Sequence, residues 1–308
     1  MLEKVMQKIS IIVLVVGLLS ATGQVKAATD IQYQASYKGI FSLFRTMKIA
    51  DVNYSVSSHV PQLPAEFQQV RLWVTSEKYS SVERLYPFRY LYKSFFNKDS
   101  EQTQVFENIK ITKKKKKLRH QVGLMDFQEN KIQLFKSTHK EESVLPAVVA
   151  GVTMTEQHQQ LIKRFQLTEK APPLIKLQTM PIDRLTMLEL MAEQVATNQA
   201  EKIYRITNGD ELFDYRVTLR QQQNINVAGE ERQTRKVKIE AFELTPGGEQ
   251  VMETQGKVEQ LQAAETEKRK YAHAPVYAWF SEIEGKQTAV KFLNRHAIGD
   301  FVVEMVGL

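Results

Sequence analysis

Residues 202–242, KIYRITNGDELFDYRVTLRQQQNINVAGEERQTRKVKIEAF, decide the fold. Tyr215, Val217 and Leu219 alternate with Arg216, Thr218 and Arg220, and Val237 and Ile239 repeat the pattern. A period of two puts apolar and polar side chains on opposite faces of a half-buried strand. Asn208-Gly209 suits a tight hairpin because both residues tolerate positive φ, and Gly229 marks a second turn. The stretch therefore predicts an antiparallel meander with one wet face.

The same alternation extends outward. Ile31–Phe41 places Tyr33, Ala35, Tyr37 and Gly39 on one face of an opening strand. Arg45–Ser57 and Phe67–Ser76 follow, with Pro61 and Pro64 between them, where a missing N–H does no harm. Met125–Lys136 gives two short runs around Glu129-Asn130, and Ala274–Met305 reads as three strands with turns at Gly285 and Gly299.

Two segments change period. In Thr155–Leu167 the residues Leu161, Ile162 and Phe165 share a helical face, with Thr155 as N-cap. Pro181–Ala196 is the stronger helix: Leu185, Leu188, Met191 and Val195 recur at spacings of three and four, Arg184, Glu189 and Glu193 stay polar, and Asp183 suits the first turn or the cap. The expected fold class is mainly β (α+β), a curved antiparallel sheet or half-open β-barrel with one or two helices packed on it.

The chain has 308 residues, 25% charged and 43% hydrophobic, which fits a globular protein. Residues 1–27 carry Lys4 and Lys8 before an apolar run from Ile9 to Ala21 and end in Val25-Lys26-Ala27, the pattern of a cleaved secretory signal peptide. Only 17 residues separate Lys8 from Lys26, against about 20 needed to span a bilayer. The expectation is a periplasmic protein with no transmembrane segment after cleavage. Its single β-rich domain covers residues 28–308, with candidate insertions at 141–179 and 249–272. The leader contains three Lys and one Glu, so its loss takes the net charge from +7 to +5. There is no cysteine, so neither a disulfide nor a lipidated cysteine is on offer.

Two stretches are candidate contact sites. Val82–Phe96 concentrates aromatics around Pro87. Tyr86, Phe88, Tyr90 and Tyr92, with Trp279, either fill the core or line an apolar ligand cavity. Lys113, Lys114, Lys115, Lys116 and Lys117, with Arg119 close behind, form a run that alternation would drive partly inward, so it belongs on a hairpin tip or twisted edge. There it either protects an edge by charge or contacts anionic phosphate groups.

Islands of this sequence resemble the bacterial exported family called domain of unknown function 3108. They are Asp183-Arg184-Leu185-Thr186, NGDELFDYRV (208–217), the Gly229 turn, RQTRKVKIE (232–240) and VYAWFSEIEGKQTAVKFLNRHAIGDFVVEM (276–305), with weaker matches at YQASYKGI (33–40) and LYPFRYLY (85–92). The resemblance implies one exported β-rich domain of a Gram-negative envelope and brings no catalytic residues with it.

Catalytic signatures are missing from the sequence. There is no G-x-S-x-G, no H-E-x-x-H and no phosphate-binding glycine loop, and the six histidines are scattered through apparent loops and strand ends. No cofactor is expected, and nucleic acid is a poor partner for an exported chain. The expectation is a non-enzymatic envelope protein that binds a lipid or other apolar ligand in a concave sheet. The alternative is a periplasmic scaffold or assembly protein that binds other proteins through sheet edges and the basic surface.

Overall fold

The computed structural model describes residues 29–57, 66–85, 87–112, 117–127, 130–137, 154–169, 180–207, 212–243 and 274–308. The leader, Pro61, Pro64, the Asn208-Gly209 turn, Pro172-Pro173 and residues 249–272 lie outside these ranges, as does most of 141–179.

The strands run β1 (Thr29–Gly39), β2 (Thr46–Ser57), β3 (Phe67–Thr75), β4 (Phe88–Asn97), β5 (Gln102–Thr112), β6 (Lys117–Asp126), β7 (Lys131–Lys136) and β8 (Thr168–Glu169). After the helical segments come β9 (Glu201–Thr207), β10 (Leu212–Val227), β11 (Glu230–Glu243), β12 (Val276–Ile283), β13 (Lys286–His296) and β14 (Gly299–Gly307). The helices are α1 (Ser80–Leu85), α2 (Met154–Arg164) and α3 (Arg184–Ala196).

The 14 strands of the described residues form one antiparallel sheet in the order β8-β7-β6-β5-β4-β3-β2-β1-β14-β13-β12-β11-β10-β9. Every neighbour follows in sequence except β1 and β14, which pair directly, Tyr37 opposite Phe301. The first and last thirds of the chain are thus joined into one half-open barrel whose edges are β8 and β9. The expected fold class is the observed one.

The organising stretch forms β9, β10 and β11. Tyr215 faces Ala241, Val217 faces Ile239 and Leu219 faces Val237, so the apolar alternation of both strands meets on one side. The β10–β11 connection is Ala228-Gly229, both at positive φ, 53° and 87°, between paired Val227 and Glu230. That is the backbone of a type I′ hairpin, whose twist matches the strands it joins. Glu284-Gly285 repeats it between β12 and β13.

Gly299 differs from its expected turn position. It opens β14 at φ 142° opposite Gly39, and a Cβ on either residue would approach the other's Cα to 2.6 Å. The two backbones meet there because neither carries a side chain.

Helix α3 sets the interior. Asp183 is its N-cap, accepting from the Leu185 and Thr186 amides as capping requires. Leu185, Met187, Leu188, Leu190, Met191, Ala192 and Val195 are buried, and so are Arg184, Thr186 and Gln194. The expected polar face is narrower than the sequence suggests, because sheet surrounds the helix on most sides: α3 packs on β3, β4, β9 and β13. Burying its large apolar side chains stabilises the fold by on the order of 10 kcal/mol before entropy is counted.

A second, smaller core lies under α2. Leu161 and Leu167 join Phe95, Val105, Val122, Leu124 and Phe135, with Phe67, Ile162 and Phe165 packed against them. The helix begins at Met154, so Thr155 sits in its first turn and not at the cap. These helical residues pack on the sheet and do not form a separate globule.

A candidate contact surface around a filled barrel

Of the five candidate lining residues, Tyr90, Tyr92 and Trp279 are buried. Tyr90 lies opposite Val74 and Tyr92 opposite Leu72, both in the main core with α3. Tyr92 is 1% exposed and stacks parallel to Phe106 at 6.3 Å. Burial, the larger cause, and the Asp183 charge push its hydroxyl well above the usual tyrosine range. Trp279 belongs to the same core cluster, but whereas its neighbour Ala278 pairs with Val237 and Phe292, pairing sets Trp279 beside Lys236 and Lys291. Lys236 lies over its ring, 5.3 Å from the centroid. Phe88 opens β4 opposite Thr112, and Tyr86 lies outside the described residues.

The concave side is occupied by the protein's own helix, held at its head by a polar cluster. Asp183 Oδ2 accepts from Thr103 Oγ1 at 2.8 Å, from Thr186 Oγ1 at 2.7 Å and from the Ser94 hydroxyl. All four residues are fully buried. On the other side, Ile182 N–H donates to Arg205 O at 2.9 Å and Thr207 N–H donates to Ile182 O at 2.9 Å. Residues 182 and 183 therefore tie β9 to β4 and β5, bridging the gap that the sheet leaves open. Lys202 of β9 adds an ion pair across the same gap to Glu101, at 2.7 Å. Buried polar groups satisfied in this way specify one arrangement, because any other strands several of them.

Further along α3, Glu189 accepts from the Tyr54 hydroxyl and pairs with Lys286 Nζ at 2.6 Å. Burial, then the Glu189 charge, raises the Tyr54 hydroxyl well above its ordinary range. Beneath lies a cavity of about 20 Å³ beside Tyr33, Tyr54, Leu188 and Phe280, room for roughly one water. An open cleft of about 250 Å³, touching Gln68, Phe96, Lys98, Glu193 and Gln287, flanks the ion pair. Neither is an apolar chamber able to enclose a lipid chain.

The opposite face of the sheet carries a charged row, half-buried at Arg71 and buried at Lys93 and Glu107. Arg71, Lys93 and Glu107 stand opposite one another on β3, β4 and β5. His120 Nε2 lies 2.6 Å from Glu107 Oε1, with both side chains enclosed. Burial pushes Lys93 down to about 8, against the pull of Glu107. His120 and His158 are thus buried, contrary to the loop and strand-end positions expected for the histidines. Isolated histidines give no sequence signal of burial, since strand pairing alone brings His120 to Glu107. Among the described residues no three His, Asp or Glu side chains converge as metal ligands.

Of the lysine run, Lys117 opens β6 opposite Thr112, the last residue of β5. Lys113–Lys116 lie outside the described residues, and Arg119 is exposed. Antiparallel pairing puts these ends of β5 and β6 at the same end of the sheet as the β1–β2 connection, residues 40–45. There Ile40, Phe41, Leu43 and Phe44 are 48%, 58%, 83% and 66% exposed. The sequence reading passed over this cluster, although four apolar residues in a turn are its signal.

No family model matches the chain. Nor does any curated protein match it. Among solved structures it is similar to a beta-barrel-like protein of domain of unknown function DUF1849 from Brucella abortus, at 8% identity and a TM-score of 0.47, over 90% of this chain and 95% of that one. The fold defines a mostly β, barrel-like class of protein with its core helix inside. Among the described residues no helix is long and apolar enough to cross a membrane.

Proposed function

We propose that the protein is a non-enzymatic, exported component of a Gram-negative envelope, of the domain of unknown function 3108 family, and that it acts as a scaffold binding other envelope proteins through its surface. The leader-like residues 1–27 and the quoted sequence islands support the address and the family. The observation that carries the binding mode is α3. Its side chains take up the concave space that a carried lipid would need, and the Asp183 cluster holds it there. Carriage within the sheet would require the helix to leave, stranding the buried hydroxyls of Ser94 and Thr103.

A filled barrel can still recognise partners along its edges. In β9 the apolar Ile203 is 58% exposed on the terminal strand of the sheet, three residues before the residue that bridges to Ile182, Ile206. An open strand edge bearing an exposed β-branched residue is a template for strand addition by another chain.

The test is photo-crosslinking in cells from a benzoylphenylalanine placed at Ile203, with the same group on the β10–β11 turn as control. A discrete protein adduct specific to position 203 supports the scaffold reading. Absence of any adduct, or stoichiometric lipid retained by the purified protein in native mass spectrometry, overturns it.

A further inference from the structure

The connection between β1 and β2 is a built apolar prow. Gly39–Arg45, GIFSLFR, closes on itself through backbone: Phe44 N–H donates to Gly39 O at 2.8 Å and Arg45 N–H to Ser42 O at 3.0 Å. Ser42 Oγ donates to Gly39 O and accepts from Gly39 N–H, each at 3.1 Å. The base is anchored to the β13–β14 connection by Ile40 N–H on Ile298 O at 3.1 Å, and by Tyr37 Oη, which donates to the same carbonyl at 2.5 Å. Leu43 and Phe44 are held at φ 49° and 60°, a left-handed backbone that large side chains rarely adopt. The loop's polar groups are used in fixing its shape, and its apolar side chains are left outside.

Of the seven large apolar residues most exposed among the described residues, four are in this one connection. Cations surround it. Lys38, Arg45 and Lys48 are exposed on β1, the connection and β2, and Arg295 is exposed at the adjoining end of β13. The acid among them is Asp300, half-buried and paired across the sheet with both Lys38 and Arg295.

We infer that this prow inserts into the interface of an anionic lipid bilayer, with Ile40, Phe41, Leu43 and Phe44 entering the boundary between headgroups and acyl chains while the flanking cations meet lipid phosphates. Shape and charge select this occupant. An exposed tip carrying four large apolar residues suits a fluid medium that closes around it, and interfacial binding strengthens with buried apolar area and with attraction to anionic lipid. Each cation near such a surface adds about 1 kcal/mol. A second copy of the chain would bring the same basic rim against itself, and like charges oppose that contact. The inference stands apart from the scaffold reading: the β9 edge is a different surface, and either can fail alone.

The experiment is co-flotation of the protein beginning at Ala28, which retains every described residue, with vesicles of phosphatidylglycerol and phosphatidylcholine or of phosphatidylcholine alone. The comparison variant is Phe41→Ser, Leu43→Asn, Phe44→Asn, since asparagine tolerates the left-handed backbone. The inference expects flotation with the anionic vesicles, roughly tenfold weaker for the variant, and weakened by high salt or by Arg45→Gln with Lys48→Gln, while the thermal midpoint stays unchanged. A Phe41→Trp variant should shift its emission to the blue on vesicle addition. Failure of the parent protein to float, equal flotation of the apolar variant, or loss of a solution dimer in that variant without loss of flotation would overturn it.

Discussion

Thr103 and Asp183 are bonded twice, in opposite directions: Thr103 Oγ1 donates to the Asp183 carboxylate at 2.8 Å, and the Asp183 amide donates back to Thr103 Oγ1 at 3.0 Å. The pair spans 80 residues and joins strand β5 to the head of the interior helix. Replacing Thr103 by Val keeps the shape but strands an amide and weakens the carboxylate's shell, at a cost of about 1–3 kcal/mol. Asp183→Ala also removes the helix cap and costs about 3 kcal/mol or more. Because they act on one network, the double variant should lose less than the sum in urea unfolding. Additivity to within about 0.5 kcal/mol would contradict the coupling.

Two glycines should respond differently to alanine. A Cβ on Gly39 would lie 2.2 Å from the Ile298 carbonyl oxygen and 2.6 Å from the Gly299 Cα, whereas Gly229 faces open space with only its positive φ against it. Gly229→Ala should therefore cost about 1 kcal/mol. Gly39→Ala should cost about 3 kcal/mol or more, since backbone must move. Equal thermal midpoints for the two variants would contradict the close β1–β14 approach.

His158 should shape the acid limb of stability. Burial holds it at about 4 in the folded protein, below its ordinary 6.5, although Asp126 and the Gln104 backbone pull the other way. Above pH 6.5 both states leave it neutral and the full stability is present. Between about pH 6.5 and 4 the unfolded chain binds a proton that the folded chain refuses, so stability falls with pH, by up to about 3 kcal/mol. His158→Gln should flatten this part of a stability-versus-pH curve. An unchanged slope would contradict the burial of the ring.

The satellite core should fail separately from the main one. Leu161 of α2, 1% exposed, packs with Phe95, Val105 and Phe135. Leu161→Ala should cost about 2–5 kcal/mol. Hydrogen exchange should accelerate across residues 154–164 while the amides of α3 keep their protection. Loss of protection in both helices together would mean one cooperative core.

Much of this architecture is written in local pattern. The alternation of Tyr215, Val217 and Leu219, the Gly229 and Gly285 turns and the Asp183 cap are all set by residues close in sequence, and all stand where the pattern puts them. The surroundings of α3 are not legible in that way. Arg184 reads as part of a polar face yet is buried, and the polar Thr186 and Gln194 are buried too, because Thr186 meets Ser94 and Thr103 and Gln194 donates to Val217 O on other strands. The aromatic pattern likewise grouped Trp279 with Tyr90 and Tyr92, since composition does not record which strands a residue is paired with. All three are buried, yet pairing sets Trp279 beside Lys236 and Lys291 and Tyr92 beside Leu72.

The claim underlying the rest is that the barrel is filled by its own helix. Native-state hydrogen exchange of the amides from Leu185 to Val195, with and without envelope lipid extract, tests it most directly. Those amides should exchange only through global unfolding, as slowly as Tyr33 to Tyr37 of β1, and lipid should leave their rates unchanged. Exchange of α3 through a local opening, with protection of that segment changed by lipid, would show that the interior is a binding chamber.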